Sequence, residues 1–434
     1  MFETPPRPTR SICGLPEDTV RNLNSGQALV DPVALVKELV ENSLDANATQ
    51  VGIEVSANLL DSVLVRDNGS GIAPQDRLLV CLPHHTSKIT SNDEIWTVLT
   101  FGFRGNALSS AAALSKELLF LTRAEGEPIA EVYTVGRDGP VARGSACAPI
   151  GTTVRAAGFL HGLPVRRQNM ARKTRALQKQ LKELVVRYFL ARPHCRFSLK
   201  ITSKSSAVER IIYVPAKSVP EAVRQAKGKD LAAACKWVVE GGDGIVVEAF
   251  VAKPGCNVAA LENAGQYIYV DARPVSTTHG AMANIPKLYR SHIKASLPAG
   301  EAPGSPFIYL NVLCPRGSYD PNVEPAKDDV LFDADTRQRV RAVIEALFVG
   351  MYGAPPSTKE SAGAVTGPLN SGFGPSLVRK DRPKVVNPLL LALPQRERDI
   401  SRSPPSPSPA LDDDEPGEGK AHTQSSICGL SDGV

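Results

Sequence analysis

Glu38, Asn42 and Asp45 stand at i, i+4 and i+7 within "DPVALVKELVENSLDAN", so a helix through this stretch carries all three on one face. A carboxylate and a carboxamide one turn apart can orient a water and hold a hard cation. Mg²⁺ suits such a pair: it prefers oxygen ligands, keeps several waters and takes further oxygens from bound phosphates. The chemistry that follows is Glu38 as general base and Asn42 as metal ligand. The competing reading is the plain solvated face of an amphipathic helix.

Further stretches carry chemistry of the same kind. In "VRDNGSGI", Asp67 ends an apolar run and enters a turn holding Gly69 and Gly71. A carboxylate there only accepts hydrogen bonds and matches an exocyclic amine such as that of adenine. A hairpin turn at Asn68-Gly69 is the alternative. "HHTSKIT" supplies the hydroxyls of Thr86 and Ser87 and the ammonium of Lys88. "FGFRGNALSS" sets Gly102, Phe103, Arg104, Gly105 and Asn106 in front of Ala107, Leu108 and a helix-like run. Glycines let backbone approach a ligand, and free N–H groups at a helix start attract anions. The Walker A spacing is absent, and glycines also merely punctuate turns. Thr152 lies in "IGTTV", a β-branched run that reads as strand.

These residues need a helix and strands to hold them. Asp31 is a suitable N-cap and Pro32 suits the first helical position. Val33, Val36, Leu39, Val40 and Leu44 form a stripe at helical spacing. "QVGIEV" and "SVLVRD" alternate as strands, and a second part of the chain holds strand candidates "RFSLKI", "RIIYVP", "GIVVEAFVA", "YIYVDARPV" and "FIYLNVL". Helical stretches fall near 281–296 and 334–350. Strands mixed with helices in both parts predict two α+β domains, residues 1–195 and 196–352. Residues 353–434 hold 12 of the 35 prolines and predict a disordered Pro/Ser-rich tail. No apolar run reaches about 18 residues, so no membrane span is expected. The first residues lack the apolar core of a secretory signal. Eight cysteines without a CxxC pair point to a reducing compartment, cytosol or nucleus. The net charge of +5 permits an anionic partner without demanding one.

In their order along the chain, "VKELVENSLDA", "RDNGSGI", "HTSKI", "GFRGNALSS", "GTTV" and "NVEPAK" resemble the ATPase region of the MutL family of DNA mismatch-repair proteins, over about residues 12–350. "HHTSK" and "LPVRRQ" resemble its eukaryotic PMS-type branch. The family belongs to the GHKL group, with gyrase B, Hsp90 and histidine kinases. The resemblance implies a Bergerat-fold ATPase domain, a mixed sheet with helices on one face, followed by a domain like ribosomal protein S5 domain 2. It implies ATP and Mg²⁺ as ligands, Glu38 as the base that activates water and Asn42 as the Mg²⁺ ligand. Asp67, with Gly69 and Gly71, would read adenine and Thr152 would back it. Thr86, Ser87 and Lys88 would form a lid, residues 102–108 would contact phosphates, and Lys327 of "NVEPAK" would reach the γ-phosphate. Nuclear localisation, DNA as a partner and a second MutL-type subunit also follow. The stable subunit contact in this family lies in a C-terminal domain, and the resemblance leaves no counterpart of it expected in this sequence beyond the tail. The family's endonuclease motif is also missing, so no nuclease activity is expected. A truncated product, a fragment or a short isoform is the expected status of the chain.

Two positions depart from the pattern. Asn47 stands where the family has Gly, and Asn suits a left-handed position almost as well. Asn106 stands where the family has Glu, which leaves ATP binding expected and turnover dependent on what that side chain orients. "LPVRRQNMARKTRALQKQLK" carries seven Lys/Arg and no acid, with Arg166, Arg167, Arg172 and Lys173 as candidate phosphate contacts. Lys287, Arg290 and Lys294 of "PKLYRSHIK" form a second basic run, and both runs read equally as solvated helix faces. Any DNA binding here should be independent of sequence, since no base-reading module is evident. The leading expectation is a nucleotide-switched mismatch-repair ATPase. The alternatives are a non-hydrolysing DNA-binding scaffold of the same fold and another GHKL ATPase.

Overall fold

Asp31 accepts the Ala34 N–H at 2.7 Å and caps helix α2, Pro32–Asp45, as its sequence predicts. A computed structural model describes residues 12–353 except 92, 137–138, 204–207, 297–302 and 325. The predicted tail, apart from Gly353, lies outside the described residues, as do residues 1–11 at the chain start. Helix α1, Glu17–Ala28, precedes α2. After α2 the chain turns at Asn47, whose φ of +59° is the left-handed conformation expected of it.

The next elements are β1 (Gln50–Ser56), β2 (Ser62–Asp67), α3 (Ala107–Leu114), β3 (Glu117–Arg123), β4 (Ala130–Gly136), β5 (Gly139–Ala146) and β6 (Gly151–Ala157). They are followed by α4 (Pro164–Arg172), α5 (Thr174–Ala191), β7 (Arg196–Thr202) and β8 (Val208–Tyr213). The eight strands form one sheet in the order β5-β4-β3-β6-β2-β1-β7-β8. β1 pairs parallel with β7, and the other neighbours are antiparallel. Period-2 alternation sets the buried face: Val51, Ile53 and Val55 on β1, Val63 and Val65 on β2, and Phe197, Leu199 and Ile201 on β7. Helix α2 packs against β1 and β2, α3 against β3 and α5 against β7. The sheet is therefore mixed, with helices on its apolar face.

A second sheet follows α6 (Val219–Lys227) and α7 (Lys229–Ala234). It contains β9 (Cys235–Gly242), β10 (Ile245–Ala252), β11 (Gln266–Val270) and β12 (Arg273–Val275). After α8 (Ile285–Ser296) come β13 (Ile308–Leu313), the short pair β14 (Tyr319–Asp320) and β15 (Leu331–Phe332), and α9 (Ala334–Tyr352). The order is β12-β11-β13-β10-β9, and α9 packs on β9 and β10. β11 turns into β12 through Asp271 and Ala272, at φ +49° and +61°, the double positive φ of a tight hairpin. That turn matters because it delivers Arg273 towards the first sheet.

The expected division near residue 195 does not match the strand pairing. Residues 196–213 are β7 and β8 of the first sheet, so the break between sheets falls between Tyr213 and Cys235. Alternation identifies a strand but not the sheet it joins, and β7 is claimed by β1 through seven paired positions. Among the described residues no helix is long and apolar enough to cross a membrane.

Candidate active site

Glu38, Asn42 and Asp45 do share a face of α2, and that face forms one wall of a cavity of about 800 Å³. Asp67, Gly71, Thr86, Ser87, Lys88, residues 102–108, Thr152 and Lys327 complete the lining. Gly69 does not line it. A Cβ at Gly69 would lie 2.7 Å from the Ala46 carbonyl oxygen, so Gly69 lets the turn pack against the end of α2. Nor is Asn68-Gly69 a hairpin turn, because β2 pairs with β1 and β6. Instead Asn68 Oδ1 accepts the N–H groups of Thr49 and Gln50 at 2.9 and 2.7 Å and fixes the start of β1.

Asp67 is held on both oxygens. Oδ1 accepts from Gly69 N at 2.9 Å and Thr152 N at 3.1 Å, and Oδ2 accepts from Ser43 Oγ at 2.9 Å. Burial pushes its carboxyl above the ordinary aspartate range and outweighs those three donors. Thr152 thus backs Asp67 through its backbone. Ser43, one turn before Asn47, is a support that the motifs alone do not mark.

The loop 100–106 is anchored by Asp45. Its carboxylate accepts the Phe101 and Gly102 N–H groups at 2.8 and 2.9 Å, and the Lys88 ammonium lies 2.6 Å away. Lys88 Nζ also donates to Asn42 Oδ1 at 2.8 Å, so the carboxamide oxygen is already turned outward to hold a positive charge. Gly105 has φ +67°, and a Cβ there would meet the His85 carbonyl oxygen at 2.5 Å; only glycine fits. Asn106 precedes α3 without capping it. Its Oδ1 instead accepts the His84 N–H at 3.0 Å and latches residues 84–88 to the glycine loop. Arg104 lines the cavity, yet its guanidinium donates to Asn322 Oδ1 at 2.9 Å and to the Glu324 carbonyl at 2.7 Å.

Arg273 and Lys327 also bring the second sheet's segment to this wall. Arg273, buried at 4% exposure, donates to the Thr100 and Phe101 carbonyls at 2.6 and 3.1 Å. Arg273 and Arg192 both approach the Phe101 ring, with guanidinium carbons 5.7 and 5.1 Å from its centroid. Lys327 Nζ lies 2.7 Å from Glu38 Oε2 and 3.4 Å from Glu41 Oε2. Glu41 also receives the Lys37 ammonium at 2.8 Å and the Tyr188 phenol. Burial alone would raise the Glu41 carboxyl, but Lys37 and Lys327 hold it at about 2. Desolvation works against the Lys327 ammonium, and the two glutamates overcome it and raise its pKa. Glu41 was not among the expected site residues. Its signal was an acidic residue beside the apolar positions Leu39 and Val40 of α2, where a charge has to be buried and paired.

The basic candidates fare differently. Arg166 donates to the Gly26 carbonyl at 2.9 Å, and Arg167 to the Phe159 carbonyl and to Asp61, both at 2.7 Å. Arg290 donates to the Pro303 carbonyl at 3.0 Å. Arg172, Lys173, Lys287 and Lys294 are exposed, as are Arg175 and Lys179. His292 is buried and packs on Phe348.

The fold is that of a GHKL ATPase domain. Residues 31–138 match the family described as histidine kinase-, DNA gyrase B-, and HSP90-like ATPase, and residues 223–348 match the C-terminal domain of DNA mismatch repair protein. DNA mismatch repair protein MutL of Neisseria meningitidis serogroup A is 30% identical over 337 residues, covering 77% of this chain and 48% of the relative. DNA mismatch repair protein PMS1 of Arabidopsis thaliana is 30% identical over 341 residues, covering 77% of this chain and 36% of the relative. A solved structure titled as the N-terminal domain of a DNA repair protein superposes with a TM-score of 0.63 at 24% identity, covering 76% of this chain and 97% of that one. The chain belongs to the MutL family, and the PMS1 relative agrees with the PMS-type branch. It spans about half or less of the length of these two curated relatives.

Proposed function

We propose that the cavity against α2 binds ATP with Mg²⁺ and hydrolyses it, as part of a nucleotide-switched mismatch-repair subunit. The observation that carries this is the convergence of Glu38, Asn42, Asp67 and the glycine loop around one cavity of triphosphate size. Asp67 presents a half-buried, fixed acceptor to an adenine amine. Asn42 would hold Mg²⁺, and its oxygen already accepts a cationic partner in Lys88. When bound, Mg²⁺ supplies charge neutralisation to phosphate oxygens. Glu38 orients the attacking water and takes its proton, Gly102 to Leu108 present backbone to the phosphates, and Lys327 faces the terminal phosphate. Closing residues 84–88 over the ligand excludes water from these groups.

Sequence-independent DNA binding through Arg172, Lys173 and their exposed neighbours, a second MutL-type subunit as partner and a nuclear location complete the proposal. The test is ATP turnover by this chain and by Glu38→Ala, with nucleotide binding measured for both. Equal turnover with binding intact would sink the hydrolysis claim. A non-hydrolysing scaffold is favoured by one observation, the engagement of Glu38 by Lys327, and the same experiment separates it.

A further inference from the structure

We propose that Glu41 is a positioning residue that acts through Lys327: it is the fixed pivot from which that ammonium reaches either Glu38 or a terminal phosphate. This rests on the ATP reading above and deepens it.

The geometry is that of a pivot. Glu41 is buried at 1% exposure and its two oxygens have separate duties. Oε1 is saturated by Lys37 at 2.8 Å and by the Tyr188 phenol, which leaves Oε2 for Lys327. Lys37 also donates to the Ala326 carbonyl at 2.8 Å, so one lysine ties Glu41 to the residue preceding Lys327. Lys327 itself is at φ +55°, a conformation a lysine adopts only where its surroundings hold it. Two ammonium and two carboxylate groups balance here. Lys37 answers Glu41, and Lys327 is the cation left for Glu38.

Lys327 makes its short contact to Glu38, at 2.7 Å, and its long one to Glu41, at 3.4 Å. A competing anion beside Glu38 can therefore draw the ammonium away while Glu41 keeps hold of it. Moving the ammonium leaves Glu38 free to accept a proton. The γ-phosphate is present in ATP and missing in ADP, so Glu41 should matter for one nucleotide and not for the other.

Glu41→Gln tests this with two readouts. The first is affinity for ADP and for a non-hydrolysable ATP analogue. The second is the acylation rate of Lys327 in the nucleotide-free protein, followed by mass spectrometry. The expected result is an analogue affinity lowered about thirty-fold or more, as for loss of one partner of a buried charge pair, with ADP affinity unchanged and Lys327 acylated several-fold faster. Tyr188→Phe removes one donor to Glu41 and should shift both readouts in the same direction by less. It carries the test if Glu41→Gln does not fold. Equal weakening of both nucleotides with unchanged acylation overturns the proposal. If the unmodified chain binds neither nucleotide, the ATP reading falls, and the acylation rate alone decides whether Glu41 positions Lys327.

Discussion

The α2 cavity and the basic helices α4 and α5 both drew functional expectations, and the structure treats them in opposite ways. In the cavity, nearly every expected residue reaches the same space, and most of the supporting contacts come from far along the chain. Asp67 is braced by Ser43, Gly69 and Thr152; Asp45 by Lys88, Phe101 and Gly102. On α4, two expected phosphate contacts are spent inside the fold on Gly26, Phe159 and Asp61. A constellation is constrained by the demands of a ligand at several points at once. A run of like charges is constrained by nothing until its neighbours are known.

Substitutions can break or sharpen this contrast. The largest effect is expected for Glu38→Ala, which should lower turnover about 10²–10⁴-fold with nucleotide binding retained, as read by steady-state kinetics and titration. Gly105→Ala must strain a left-handed backbone against the His85 carbonyl. A cost of about 2–3 kcal/mol in urea unfolding is expected, with loss of nucleotide affinity. Arg273→Ala leaves the Thr100 and Phe101 carbonyls without that donor and should cost about 2–4 kcal/mol on the same measurement. At the basic edge, changing Arg166 and Arg167 to Glu should lower the melting temperature. Changing Arg172, Lys173, Arg175 and Lys179 to Gln should leave it unchanged and flatten the salt slope of DNA binding by up to about 4. Equal effects from the two sets would erase the contrast.

The smallest effect concerns pH. Glu324 raises the His279 pKa by accepting its hydrogen bond at 3.1 Å, against a slight opposing effect of burial. A raised folded value means that the added stability is complete below the ordinary histidine pKa of 6.5 and is lost as pH rises through the folded value. His279 is 52% exposed, so His279→Ala should cost only roughly a few tenths of a kcal/mol more at pH 6 than at a pH above the raised folded value, by urea unfolding across that range.

What could be read from the sequence was short-range. Cap, stripe and polar face of α2 follow from helical spacing, and the left-handed Asn47 from its place after the helix. The strands follow from alternation. The pairs that complete the site span long separations: Asn106 with His84, Arg273 with Thr100, and Lys327 with Glu41. No local period encodes such a pair. The same limit misplaced the boundary near 195, because the partner of β7 lies at β1, with most of the first domain between them.

The latch at residue 106 bears on how variants of this protein should be sorted. What His84 asks of that position is an oxygen acceptor at the reach of a short side chain, and it does not ask for charge. Exchange of Asn106 for Asp then belongs with the tolerated changes. Exchange for Ala or Leu belongs with the damaging ones, even though both are better helix formers at the head of α3. A scoring scheme that weighs only lost charge would group Asn106 itself with Ala and Leu, although Asn106 supplies the acceptor and they do not.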